Sequence, residues 1–183
     1  MRYVIPMSVA YVICVTMAPQ VAQAAMSDAE IIASAEKAAP SALAKNAAIV
    51  AFDEQMNMRT VREGSNGYTC MPDNPQSPGE DPMCLDKGGM EWASAWMTKK
   101  EPPKGVVGIG YMLAGGSDAS NTDPHATAPM QEGKWVETGP HLMVFNIGSA
   151  IENYPDQGDQ PDTGAPYVMW AGTPYEHLML PVE

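Results

Sequence analysis

Apolar positions along the chain recur with two different periods, and the changes between them mark out the elements. Ser27-Asp28-Ala29-Glu30 sets a capping residue and two acids ahead of Ile31, Ile32 and a run of alanines, which predicts a short helix ending near Ala39, before Pro40. Residues 47–52 then read as a strand, 53–57 as a turn and 58–62 as the returning strand of a hairpin. Ser65-Asn66-Gly67 is a second turn signal, and Tyr68-Thr69-Cys70 a further short strand. Asp86 predicts the cap of a second helix that carries Met90, Trp92, Trp96 and Met97 as far as Lys99-Lys100 and stops at Pro102-Pro103. Trp92 and Trp96 stand one turn apart and share a face, where packing on a sheet is the ordinary use and an aromatic platform for a sugar the alternative.

The second half reads as strands separated by turn-rich segments. Residues 106–114 form a strand whose glycines leave room for a neighbouring backbone or a ligand. An irregular stretch over 115–125 follows, 134–137 resumes as a strand, and strands at 141–147, 167–170 and 175–180 close the chain. The class is α+β: a mainly antiparallel sheet with two short helices in a single domain, residues 25–183.

The N-terminus adds a processing signal. Arg2, an apolar run from Tyr3 to Met17 and the small-residue pattern Ala22-Gln23-Ala24 read as a secretory signal peptide over 1–24. The run is shorter than the roughly 20 apolar residues of a membrane span. The expectation is a periplasmic or secreted protein with no membrane attachment after cleavage. Cys14 lies inside this segment and lacks a lipoprotein cleavage box before it. Cys70 and Cys84 remain, and an even pair in an exported protein predicts a disulfide closing a proline-rich loop, a constraint of about 3 kcal/mol. A thiolate metal site is the alternative, although the spacing matches no Cys-x-x-Cys pattern.

Charge narrows the partners. With 10 basic and 22 acidic side chains the chain carries a formal charge of −12, which repels nucleic acid and anionic membranes and favours cations or basic proteins. A protein or small-molecule partner is left unspecified.

Candidate chemistry is concentrated in three places. His141-Leu142-Met143 and His177-Leu178-Met179 each place an imidazole and a thioether on one face of a strand. If the strands pair with His141 opposite Met179 and Met143 opposite His177, the four soft ligands surround one copper ion, with Met112, Met130 and Met169 near by; calcium and magnesium would be rejected. Structural use is the more ordinary account, because His141, Met143, Phe145 and Ile147 also form a core stripe, and copper is the best specific hypothesis beside it. The loop oxygens of Ser117, Asp118, Ser120, Asn121 and Asp123, with His125, make a possible ligand loop within an interaction module spanning 115–130. Calcium would suit such oxygens, but the EF-hand glycine and glutamate are missing, and Asx-type turns that satisfy the loop's own backbone are the favoured account. Ser117 beside Asp118, with His125, His141 or His177 as base, is the hydrolase alternative, without any Gly-x-Ser-x-Gly pattern; an enzyme is the less favoured reading.

Tyr68-Thr69-Cys70-Met71-Pro72-Asp73-Asn74-Pro75, Ser120-Asn121-Thr122-Asp123-Pro124 and the whole stretch from Tyr167 to Met179 resemble an uncharacterised family of exported bacterial proteins. That resemblance implies export and a single domain and carries across no catalytic residue. Gly139-Pro140-His141-Leu142-Met143-Val144 is locally similar to the PCuAC-type periplasmic copper chaperones, whose strand supplies a His-x-Met half-site. Ala119 stands where that family has a methionine, and no histidine precedes His125, so a copper site here would be built with His177 and Met179 instead.

Overall fold

The computed structural model describes residues 26–53 and 55–182. The segment read as a signal peptide, with Cys14, lies outside the described residues. Ser27 caps α1 (Asp28–Ala35) in a capping box closed by Glu30, and a 3-10 turn carries the helix on to Ala38. Pro40 then starts a one-turn helix, α2 (Ser41–Ala44), which the sequence pattern does not announce. Strands β1 (Ala48–Phe52) and β2 (Met58–Arg62) form the expected hairpin. Its turn is held by Asp53, whose carboxylate accepts the backbone N–H groups of Gln55 and Asn57.

Next come β3 (Thr69–Met71), β4 (Met83–Leu85), α3 (Lys87–Met97) and β5 (Gly108–Met112). The chain continues through β6 (Gly116–Asp118), β7 (Val136–Thr138), β8 (His141–Phe145), a 3-10 turn over Gly148–Asn153, β9 (Tyr167–Met169) and β10 (His177–Pro181). The stretch read as irregular from 115 therefore opens with β6, which pairs antiparallel with β7 as a separate two-stranded sheet. Eight strands form the main sheet in the order β2-β1-β3-β4-β5-β8-β10-β9. The β1–β3 pair is parallel and the other strand pairs are antiparallel.

Two cores lie on opposite faces of this sheet. Strand alternation sends Ile49, Cys70 and Cys84 to one face, under Ile31, Ala35 and Ala38 of the N-terminal helical segment. Cys70 and Cys84 are directly opposite on β3 and β4 and form the expected disulfide, fully buried at the base of the proline-rich loop. Leu85, Met112, Met143, Phe145, Met169 and Met179 point to the other face, under Trp92 of α3.

Glycine sets how closely α3 can approach. Asp86 caps the helix by accepting the N–H of Gly89 at 2.7 Å, and the same oxygen accepts the N–H of Ile109 at 3.0 Å, tying the helix start to β5. A Cβ on Gly108 would stand 2.2 Å from the Gly89 nitrogen, and one on Gly88 would stand 2.3 Å from the Val107 carbonyl oxygen. Backbone cannot yield there as a flexible side chain can. Gly108→Ala is therefore expected to cost about 3 kcal/mol or more, read as a drop in urea midpoint. Gly139→Ala, where a Cβ meets nothing within 4 Å, should leave the midpoint nearly unchanged; equal midpoints for the two variants would refute the contact.

Candidate functional site

The two His-x-Met strands are neighbours, but in a different register from the one a single four-ligand site needs. β10 pairs with β8 so that Met179 faces Met143, His177 faces Phe145 and Pro181 faces His141. The offset from the required register is two residues, so every side chain keeps its face while its partner changes. His141 and His177 stand four residues apart along the ladder, which puts their Cα atoms about 14 Å apart. That is too far for both imidazoles to reach one ion. No tight turn governs this register, since β8 and β10 are joined through the 3-10 turn and β9; packing does.

The flanking strands extend the soft-donor face. Met112 of β5 lies directly opposite His141, and Met169 of β9 directly opposite His177. His141, Met143, His177 and Met179 are all buried, the two imidazoles being 2 % exposed. Each ring makes the same local bond. His141 Nδ1 lies 2.7 Å from the Gly139 carbonyl oxygen and His177 Nδ1 lies 3.0 Å from that of Tyr175, two residues back in each case. A carbonyl oxygen only accepts, so Nδ1 carries the proton and Nε2 of each neutral ring keeps its lone pair. Burial lowers the pKa of His141 against that backbone bond. For His177 burial brings the value down to about 4, with a small further push from His141.

The surroundings of the two rings differ. His177 sits among Trp92, Trp170 and Phe145, with ring centroids at 5.1, 5.1 and 5.3 Å. His141 lies at the other end of the face, beneath β6. A Cβ on Gly116 would be 2.8 Å from the Met112 methyl, 3.7 Å from His141 Cε1 and 3.8 Å from Asp81 Cβ, so these three groups meet under a bare backbone. Gly116, with Gly79, Gly115, Ser117 and Thr138, also lines a cleft of about 310 Å³ between β6–β7 and the disulfide loop. His141 thus lies one residue's thickness behind an open cleft, whereas His177 is walled in by indoles.

The loop candidates do not converge. Ser117 Oγ accepts the Gly79 N–H, and among the described residues no histidine is hydrogen-bonded to it, so no nucleophile–base pair forms there. Ser120 Oγ accepts the N–H groups of Thr122 and Asp123, and Asp123 accepts that of His125. These oxygens are used on the loop's own backbone. Asn121 donates to the Gly158 carbonyl and is buried with its Oδ1 unpaired, while His125 lies against Tyr175 with centroids 5.4 Å apart. Among the described residues no three histidine, cysteine, aspartate or glutamate side chains come together in a way that would hold a metal; a histidine–thioether set is a different donor class.

Asp118 is the group whose chemistry the sequence conceals. Protein surrounds it with only part of its surface wet, and burial, helped by the charge of Asp81, pushes its pKa up to about 7. Burial and the neighbouring Asp73 also hold Asp81 above the ordinary carboxyl range, against hydrogen bonds from Ser77 and Asn74. Burial pushes Tyr167 up to about 12, opposed by Thr138, whose hydroxyl is 3.4 Å from the phenol, and reinforced by Asp118. In the sequence Asp118 stands out only as a loop oxygen and as the neighbour of Ser117, because the three residues of β6 carry too little pattern to show the pairing that assembles this cluster.

Compared with known proteins, the chain matches no family model, no curated protein and no solved structure.

Asp118 and His177 act oppositely on stability. The folded pKa of Asp118 lies above the unfolded value of 3.8, so the native state holds the extra proton and stability is lost as pH rises from about 4 through 7. For His177 the folded value lies below 6.5, so the unfolded state holds the extra proton and stability is lost as pH falls from there towards 4. Asp118→Asn removes the first effect. It should be more stable than the parent by about 2 kcal/mol at pH 8 and equal to it near pH 4 in urea unfolding. A gain that does not shrink with falling pH would contradict the half-buried, ionisable state of Asp118.

Proposed function

We propose that the protein binds a soft monovalent metal ion, copper(I), at a centre formed by His141, Met112 and Met143. The reading rests on one observation: a buried imidazole whose Nδ1 is committed to a backbone carbonyl, with methionines at the directly opposite and next same-face positions. Metal-ligating histidines are oriented by this kind of second bond, which leaves Nε2 as the ligand nitrogen. Thioethers favour Cu(I) and give calcium and magnesium nothing to bind, while imidazole accepts either copper state. Met179, across from Met143, is available as a further thioether. The cleft lined by Gly116 is separated from Met112 and His141 by that residue's backbone, so an ion or a small donor entering there would need β6 to shift.

The N-terminal segment supports an exported location, and the acidic charge of −12 would raise the local concentration of cations. No nucleic-acid or membrane partner is needed. In an anaerobic competition against a chromophoric Cu(I) chelator, the purified protein should take up Cu(I). His141→Ala should weaken binding at this centre by more than about tenfold, and Met112→Leu, which conserves volume, by a smaller factor. Absence of uptake, or His141→Ala binding as well as the parent, would sink the proposal.

A further inference from the structure

We propose that the same face carries a second soft-metal centre, formed by His177, Met169 and Met179 and walled by Trp92 and Trp170. It rests on the reading of the first centre as a histidine–thioether site. The Met143–Met179 rung is the midpoint of the β8–β10 pair. Two residues before the rung on β8 is His141, and two residues before it on β10 is His177, so antiparallel pairing sends the two imidazoles the same distance in opposite directions. The outer strands complete the correspondence. β5 sets Met112 opposite His141, and β9 sets Met169 opposite His177. Each histidine donates Nδ1–H to the carbonyl two residues before it, so both rings present the same lone-pair nitrogen.

The displaced register therefore replaces one four-ligand site by two histidine–methionine–methionine sets that share a central thioether rung. The second set has an added component. Trp92 and Trp170 are nearly parallel, with an interplanar angle of 7°, and both stand edge-to-face with His177 at 5.1 Å. An indole face stabilises a nearby desolvated cation, and in a dry enclosure of neutral ligands a monovalent ion leaves less uncompensated charge than a divalent one, so a monovalent ion is the species this enclosure suits. The tryptophans also report on the centre, because a heavy ion bound beside them quenches their emission.

Silver(I), a redox-inert analogue of Cu(I), is the probe. The purified protein is titrated with Ag(I), bound metal is counted after desalting, and tryptophan emission is followed in parallel. The parent should bind two ions and lose tryptophan emission. His141→Ala should bind one ion and keep the quenching. Met169→Leu and His177→Phe should bind one ion without quenching, Met169→Leu being the variant that conserves core volume, with circular dichroism confirming the fold. Two ions with undiminished quenching in both Met169→Leu and His177→Phe would overturn the proposal. A single parent ion, lost in His141→Ala and silent in fluorescence, would overturn the second centre and leave the first standing. A single quenching ion, lost in Met169→Leu and retained in His141→Ala, would do the reverse.

Discussion

Helix α3 lies so close to β5 that neither Gly88 nor Gly108 has room for a methyl group, and much of the molecule follows from that contact. The approach brings Trp92 onto Phe145 with ring centroids 4.2 Å apart, and Trp170, Tyr175 and His177 gather around the same indole. Phe145 and His177 are paired across β8 and β10, so the helix seals the rung that holds the two strands in register. Large aromatic side chains bury more apolar area than any other residues, and a cluster of them around one indole is costly to displace by even one residue. A slip of β10 would move His177 out from under Trp92.

The opposite end of the same face is closed differently. There β6 and β7 lie over Met112, His141 and Tyr167, and the cover is backbone and small side chains in place of indoles. Polar groups enter with them. Asp118, Tyr167 and Thr138 sit at this end, and burial makes both acids harder to ionise. One face therefore runs from a dry aromatic end at His177 to a polar end beside a cleft at His141, with two methionines between. Ions and protons would meet these ends with different ease, which is why the outer end is the natural point of exchange in the metal-binding reading.

The acid balance of the molecule reflects the same gradient. Between about pH 4 and 6.5 the native state holds a proton on Asp118 that the unfolded chain releases, while the unfolded chain holds one on His177 that the native state excludes. The two linkages partly cancel across that interval. Each originates in burial, and neither was visible in the residue order.

Much of the local structure was legible because its causes are local. The capping box at Ser27, the Asp53 turn, the Asp86 cap and the alternation that begins at His141 are decided within a few residues and form there, although the strand read over 141–147 ends at Phe145, where Asn146 turns to a positive φ and Ile147 starts the 3-10 turn. The Cys70–Cys84 disulfide was legible from number and context. The short elements α2 and β6 were not, since three or four residues carry too little periodicity to stand out. By itself, then, the sequence determined that His141 and Met143 share one strand face and His177 and Met179 another, because side-chain alternation is a property of any extended chain. Tertiary structure alone decided that these faces coincide and that Met143 lies opposite Met179. It also decided that Met112 and Met169 flank the histidines, because strand order and register are settled by the packing of α3 and its indoles, which no single strand encodes.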